Sequence, residues 1–167
     1  MHRLLERHPG LALRQLGVGD GVLSQEPLAV STVLGSCVSV TFHCPVTRYG
    51  AIFHALMPVE GGQSGRPGTL GDYKFVDDAI RRFVAELYRR GVRRGDLACK
   101  VFGGANAMFA EQFGVGRKNV VVAFETLERE RLRVVASDVG GDRGRKLLFL
   151  THTGEVFVKR LNPQCPL

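Results

Sequence analysis

The sequence contains no long apolar run, no paired-cysteine motif and no tryptophan. No stretch approaches the ~18 apolar residues of a membrane-spanning helix. The first ten residues lack the apolar segment of a signal peptide. The four cysteines form neither a Cys-x-x-Cys pair nor a zinc-finger spacing, which argues against a structural metal site. We therefore expect a cytoplasmic protein with reduced thiols, without a metal or cofactor and without membrane insertion.

The composition is that of an ordinary globular domain. The chain has 167 residues, of which 44% are hydrophobic and 23% charged. This length predicts a single domain over residues 11–167, preceded by a loose arm over residues 1–10. The formal net charge of +7 is compatible with nucleic acid, an anionic membrane or an acidic protein as partner. The chain has no recognition-helix cluster and no aromatic stacking platform, which argues against nucleic acid.

The periodicity of apolar residues predicts two long helices among several strands. The first helix covers residues 72–90, and the second covers residues 117–131 with Asn119 as a candidate N-terminal cap. A short helix is expected over residues 105–113, and the glycine-rich residues 61–68 indicate a flexible surface loop. Strands are predicted at residues 28–34, 97–102, 132–138, 145–151 and 155–161. Since helices and strands do not alternate strictly, the fold class is predicted as α+β.

The most informative stretch covers residues 30–58 and reads as a strand, a corner and a hairpin. The corner consists of small residues, Gly35 and Ser36, directly before Cys37. Apolar side chains at 38, 40 and 42 then alternate with polar ones at 39, 41 and 43, which predicts a half-buried strand. Residues 44–49 reverse the chain, and residues 50–57 return as a second strand.

The register of this hairpin decides whether Cys37 and His54 can act together. If His43 pairs with Gly50, then Ser39 lies opposite His54. Cys37 and His54 then become diagonal neighbours on one face, about 7 Å apart at the backbone. A slip of one residue would send His54 to the other face of the sheet.

A thiol and an imidazole in one corner can attack an acyl carbon. Two features here could raise the thiolate fraction of Cys37: the backbone amides of the corner and a protonated His54. His54 would then deliver its proton to the leaving group. A third group must hold the imidazole in the right tautomer, and Ser31 and Thr32 are the local candidates. The alternative is that Cys37 is an ordinary core residue, which is common for a cysteine in a valine-rich strand.

Ordered sequence motifs along nearly the whole chain resemble the CheD-type chemoreceptor glutamine deamidases. The motifs are residues 34–38 (LGSCV), 54–58 (HALMP), 100–105 (KVFGGA), 116–119 (GRKN), 138–145 (DVGGDRGR) and 153–159 (TGEVFVK). A helix with Tyr73 and residues 78–80 belongs to the same series.

The resemblance implies a protein-glutamine deamidase. Such an enzyme hydrolyses selected glutamine side chains of methyl-accepting chemotaxis receptors to glutamate and releases ammonia through a thioester. The resemblance implies Cys37 as the nucleophile, His54 as the base and an upstream hydroxyl residue, Ser31 or Thr32, as the third member. It also implies two packed mixed β-sheets with flanking helices, similar to bacterial toxin cysteine deamidases. A CheC-type phosphatase is a possible further partner. The alternative is a catalytically weak binding module that docks on receptors or on CheC.

Overall fold

The computed structural model describes residues 9–59, 72–106 and 114–162. Within these ranges the chain forms nine strands, two α-helices and a 3₁₀ turn at Arg94–Asp96. The strands are β1 (Leu13–Gln15), β2 (Gly21–Ser24), β3 (Ala29–Leu34), β4 (Val38–Cys44), β5 (Tyr49–Phe53), β6 (Ala98–Gly103), β7 (Arg133–Val139), β8 (Arg145–Leu150) and β9 (Val156–Arg160); the helices are α1 (Val76–Arg89) and α2 (Val115–Arg129).

The strands form two mixed sheets. The first has the order β1-β3-β8-β9 and the second the order β2-β5-β4-β6-β7. One neighbouring pair in each sheet is parallel, β1 with β3 and β6 with β7, and the other pairs are antiparallel. The predicted α+β class with two mixed sheets and flanking helices is confirmed.

The five-stranded sheet is the middle layer of the fold. On one face, Val38, Val40 and Phe42 of β4 pack with the apolar side of α1, including Ile80 and Phe83. On the other face, side chains such as Ile52 of β5 pack with residues of the four-stranded sheet. Both faces of β4 are therefore covered, and its polar residues Ser39 and Thr41 are buried. The prediction of a half-buried strand was wrong because a second sheet covers the face that alternation assigned to solvent.

The hairpin has the register on which the pairing of Cys37 with His54 depends, with His43 opposite Gly50. Its second strand is shorter than predicted, because β5 ends at Phe53 rather than at Met57. After one further bridge between Val38 and Ala55, the chain leaves β4. The amides of residues 56 and 57 instead donate to the carbonyl of Lys74. His54 thus lies at the point where the strand ends.

Helix α1 begins at Val76 rather than at Asp72. The four preceding residues are held by other parts of the chain: Tyr73 donates its amide to Gly19, and Phe75 bridges to Met57. The apolar residues at 76, 80, 83 and 87, whose spacing is typical of a helix, are all buried.

Helix α2 begins at Val115, so the prediction of Asn119 as its cap was wrong. Gly114 precedes the helix with a positive φ of 54°, and Asn119 lies in the second turn. Of the short helix predicted over 105–113, only Ala105 and Asn106 are described, and neither is helical. The loop predicted at 61–68 and most of the predicted arm lie outside the described residues. Over the described ranges, neither α-helix is long and apolar enough to cross a bilayer.

Candidate active site

Cys37 lies at the corner where the chain passes from one sheet to the other. It follows β3 of the four-stranded sheet and precedes β4 of the five-stranded sheet. Its side chain packs with Leu34, Phe102 and Leu147, which belong to both sheets. Only 8% of Cys37 is exposed, whereas Cys44 and Cys99 are fully buried. Cys99 of β6 is therefore a core residue, which a cysteine in an apolar strand favours.

His54 is held beside this corner by backbone hydrogen bonds on both sides. Val38 and Ala55 exchange amide hydrogen bonds of 3.0 and 2.9 Å, which places His54 diagonally across from Cys37. The His54 carbonyl accepts from Gly19 at 2.7 Å, and its amide donates to Asp20 at 3.0 Å. The side chain is buried.

A hydrogen bond from His54 reaches the other sheet. Its Nδ1 atom lies 2.9 Å from the hydroxyl oxygen of Thr32, and that hydroxyl lies 3.0 Å from the carbonyl oxygen of Leu16. A carbonyl can only accept, so the single hydroxyl proton is donated to Leu16 and the oxygen accepts from Nδ1–H. The neutral imidazole then carries its lone pair on Nε2. This atom is buried and has no hydrogen-bond partner among the described residues.

Ser31 is the other residue whose hydroxyl the sequence suggests as a partner of His54. It is buried next to Thr32, but its Oγ atom has no hydrogen-bond partner within the described ranges. Successive side chains of a strand point to opposite faces, so the two hydroxyls cannot serve the same neighbour. The structure brings Thr32 to His54 and leaves Ser31 apart from it.

Burial keeps both members of the pair neutral. It raises the pKa of the Cys37 thiol above its usual value, and the residue's own amide offsets this only in part. Burial also lowers the pKa of His54, partly offset by the Leu16 carbonyl and the charge of Asp20. These directions differ from the sequence-based expectation of an enhanced thiolate fraction. Both directions favour the uncharged forms, a thiol at Cys37 and a neutral imidazole at His54.

The backbone of the corner is tied to the end of β6. The Cys37 carbonyl accepts from the amide of Gly104 at 2.8 Å, and the amide of Ala105 donates to Gly35 at 2.9 Å. Gly103 has a φ of 106°, and a Cβ atom there would lie 2.1 Å from the Cys37 carbonyl oxygen. A side chain at 103 would therefore displace the backbone of Cys37.

Asn119 makes a further contact in the site, which its interpretation as a helix cap did not predict. It is 0% exposed, and its Nδ2 atom donates at 2.9 Å to the carbonyls of both Ser36 and Leu56. Ser36 directly precedes Cys37, and Leu56 follows His54 by two residues. One side chain of α2 thus joins the segments that carry the thiol and the imidazole. The signal in the sequence was an amide residue within one of the motifs, the segment 116–119.

No group of three or more His, Cys, Asp or Glu side chains within the described ranges is placed to hold a metal ion. The chemistry available from the described side chains is that of a thiol, an imidazole and a hydroxyl.

Comparisons with known proteins point to one family. Residues 56–160 match the family model described as CheD chemotactic sensory transduction. This range begins two residues after His54, whereas pairwise similarity to individual proteins covers most of the chain.

Two similar proteins come from Nitratidesulfovibrio vulgaris and Geobacter sulfurreducens. Both are 44% identical to this chain, over 87% and 93% of its length and over 76% and 94% of theirs. They are named probable chemoreceptor glutamine deamidase CheD and probable chemoreceptor glutamine deamidase CheD 2. A protein from Thermotoga maritima, named chemoreceptor glutamine deamidase CheD, is 31% identical over 87% of this chain and 90% of its own.

The fold is also similar to a solved structure, that of Neisseria meningitidis protein NMB0706. The similarity covers 89% of this chain and 79% of that one, with a TM-score of 0.51. At 11% sequence identity it supports the arrangement of sheets and helices alone.

Proposed function

The chain belongs to the CheD family, and from this premise we propose that it is a chemoreceptor glutamine deamidase in which Cys37 is the nucleophile and His54 the acid and base. Its substrates are glutamine side chains of methyl-accepting chemotaxis receptors. The products are glutamate and ammonia.

The first half-reaction transfers the acyl group to sulfur. His54 Nε2 takes the proton of the Cys37 thiol as the sulfur attacks the carboxamide carbon. A C–S bond forms and the carbonyl oxygen takes the negative charge. The imidazolium then protonates the nitrogen, the C–N bond breaks, and ammonia leaves a thioester behind.

The second half-reaction restores the enzyme. His54 Nε2 takes a proton from a water molecule while the oxygen of that water attacks the thioester carbon. The C–S bond breaks, and the imidazolium returns its proton to the departing Cys37 sulfur. The product leaves as the carboxylic acid, which loses its proton to water as glutamate, and both residues are neutral again, as burial favours.

The observation that carries this proposal is the hydrogen bond between Thr32 and His54. It keeps the proton on Nδ1 and leaves the buried Nε2 with its lone pair available. The hairpin register supports the proposal further, because Nε2 belongs to a ring diagonally opposite Cys37. An imidazolium formed during the reaction would be stabilised by the same hydroxyl and by Asp20.

The test is the conversion of glutamine to glutamate in receptor cytoplasmic fragments. The small mass gain is mapped by peptide and compared with ammonia release. We expect Cys37→Ala to abolish turnover and keep the wild-type melting temperature within a few degrees, because it removes one sulfur atom. Cys44→Ala makes the same chemical change at a fully buried cysteine outside the site, and we expect it to remain active.

Deamidation by Cys37→Ala at the wild-type rate would contradict the catalytic assignment. If the wild-type protein binds receptors tightly and deamidates none of them, the binding-module alternative replaces the enzyme. Docking on a CheC-type phosphatase stays a prediction of the family resemblance, and a cytoplasmic location stays a prediction from the sequence. Co-purification with CheC and cell fractionation are the corresponding measurements.

A further inference from the structure

A cavity of about 260 Å³ lies beyond the edge of the candidate active site. It is lined by residues 139–143 together with Arg145 and Arg160. These residues form the turn between β7 and β8 and the end of β9. None of them takes part in the proposed chemistry.

A short backbone segment connects this cavity to the nucleophile. Gly104 donates its amide to the Cys37 carbonyl at 2.8 Å, and two residues later Asn106 donates to the Gly141 carbonyl at 2.8 Å. Across the sheet, Val38 pairs with Gly103 and Gly103 pairs with Val139. Two strand spacings separate the outer positions, so the cavity begins about 10 Å from the corner.

The cavity has a rigid cationic wall. Arg145 is 2% exposed and lies beneath the turn. Its Nη1 donates to the carbonyl and the Oδ1 atom of Asp138, and its Nη2 donates to the carbonyls of Gly140 and Arg143. Four of its five N–H groups are thus used. The fifth, on Nε, has no acceptor among the described residues.

The charges around the cavity do not balance. Asp138 is the carboxylate that both Arg145 and Arg160 contact, with Oδ distances of 2.6 and 3.3 Å. Arg143 and Asp142, both exposed in the turn, offset each other. The three arginines therefore exceed the two aspartates by one positive charge. The Arg160 side chain is 66% exposed and can present this charge to a ligand.

The turn also leaves room for a ligand. Gly140 and Gly141 have φ values of 71° and 74°, a conformation that favours glycine. A Cβ atom built at either residue has no heavy atom within 4 Å. The backbone of the turn therefore borders open space on its outer side.

We propose that this cavity is a subsite for one carboxylate, supplied by an acidic side chain of the protein substrate near the target glutamine. The proposal rests on the proposed function and names a feature of its substrates. One surplus positive charge matches a monoanion, and guanidinium groups bind carboxylates through paired hydrogen bonds. In a helical substrate, a residue seven positions from the target lies about 10.5 Å along the axis, which fits the separation from Cys37.

The test uses pairs of synthetic helical peptides that share one target glutamine. In each pair, the residue at three, four or seven positions from the target is glutamate in one peptide and glutamine in the other. For wild-type protein we expect kcat/KM to be roughly tenfold higher for the glutamate peptide at seven positions. In Arg160→Gln and in Arg143→Gln the ratio between the two peptides should fall towards one.

Arg129→Gln is the matched control. Arg129 is 73% exposed on α2 and pairs with Glu125, away from the cavity. It should keep the wild-type ratio. If Arg129→Gln lowers the ratio as much as Arg160→Gln does, attraction is spread over the surface and the subsite does not exist. Equal losses on both peptides in Arg160→Gln would also overturn it.

A binding measurement separates this proposal from the proposed function. Fluorescence anisotropy with Cys37→Ala protein measures the affinity for each labelled peptide without turnover. Tighter binding of the glutamate peptide, lost in the double variant with Arg160→Gln, supports the subsite even if the wild type deamidates neither peptide. Equal affinities overturn it. Competition by inorganic phosphate at constant ionic strength, without a preference for glutamate, would assign the cavity to a free anion instead and also overturn the proposal.

Discussion

Replacing Thr32 by valine removes one hydroxyl from the centre of the site and keeps the branched shape of the side chain. Two groups lose their partner: the Nδ1–H of His54 and the carbonyl of Leu16. The imidazole is then free to carry its proton on Nε2, and a protonated Nε2 cannot accept the proton of the thiol. The imidazolium of the reaction also loses a hydrogen bond.

The size of the effect follows from the type of hydrogen bond. A bond to a charged group contributes about 1.5–3 kcal/mol. At about 1.4 kcal/mol per factor of ten, kcat should fall between tenfold and about a hundredfold. Stability should fall by about 1–3 kcal/mol, because two polar groups are left unpaired in a buried place. Without its acceptor at Nδ1, the pKa of His54 falls further, so the acid limb of kcat/KM shifts to lower pH.

Two neighbouring variants make the measurement decisive. Thr32→Ser keeps the hydroxyl and should recover most of kcat, at a cost of about 0.8 kcal/mol in stability for the lost methyl group. Ser31→Ala removes a buried hydroxyl with no partner among the described residues, so kcat should stay near that of the wild type. Deamidation kinetics over pH and urea unfolding give both quantities. A larger loss of kcat in Ser31→Ala than in Thr32→Val would refute the orientation of His54 by Thr32.

Three further predictions concern the same site. Because burial raises the pKa of Cys37, the rate of its alkylation by iodoacetamide should rise steadily from pH 6 to pH 9. At each pH this rate should exceed that of Cys99, whose pKa is raised to about 12. A constant rate over pH 5–8 would instead indicate a preformed thiolate. Because burial lowers the pKa of His54, its contribution to stability is complete above the ordinary value near 6.5 and is lost as the pH falls through the lowered value. The urea midpoint should therefore drop more between pH 7 and pH 5 in the wild type than in His54→Gln; equal drops would contradict the buried neutral imidazole. Asn119→Leu leaves two backbone carbonyls without their donor and should lower kcat together with about 1–3 kcal/mol of stability, while KM changes little; an unchanged kcat would show that the amide does not position the site.

The hairpin itself could be predicted because its information is local, whereas its exact register stayed a condition until the structure showed it. Alternation of polar and apolar residues over 38–43 indicated which side chains share a face, and the short reversal allowed the pairing of His43 with Gly50 that the structure has. The proximity of Cys37 and His54 followed from these two facts. The helix over 76–89 was predicted for the same reason, since its periodicity lies within one continuous segment.

The contacts of Thr32 and Asn119 could not be predicted because they depend on how separate elements pack. Because Gly35 can interrupt the alternation of side chains, the sequence did not show which residues of β3 point to the same side as Cys37. Ser31 and Thr32 therefore both stayed candidates. Asn119 has the chemistry of a helix cap, and only the packed helix shows that it lies in the second turn. The burial that shifts the pKa values of Cys37 and His54 likewise requires the second sheet.

The hydrogen bond from His54 to Thr32 crosses between the two sheets, and Cys37 lies on the chain segment that joins them. Neither sheet alone contains a working set of these groups. A partially unfolded state in which each sheet keeps its strands but the layers separate would retain most of its far-ultraviolet circular dichroism and lose turnover. Turnover by the proposed mechanism therefore depends on the docking of the two sheets, and we expect a molecule that separates them to inhibit it without contacting the thiol.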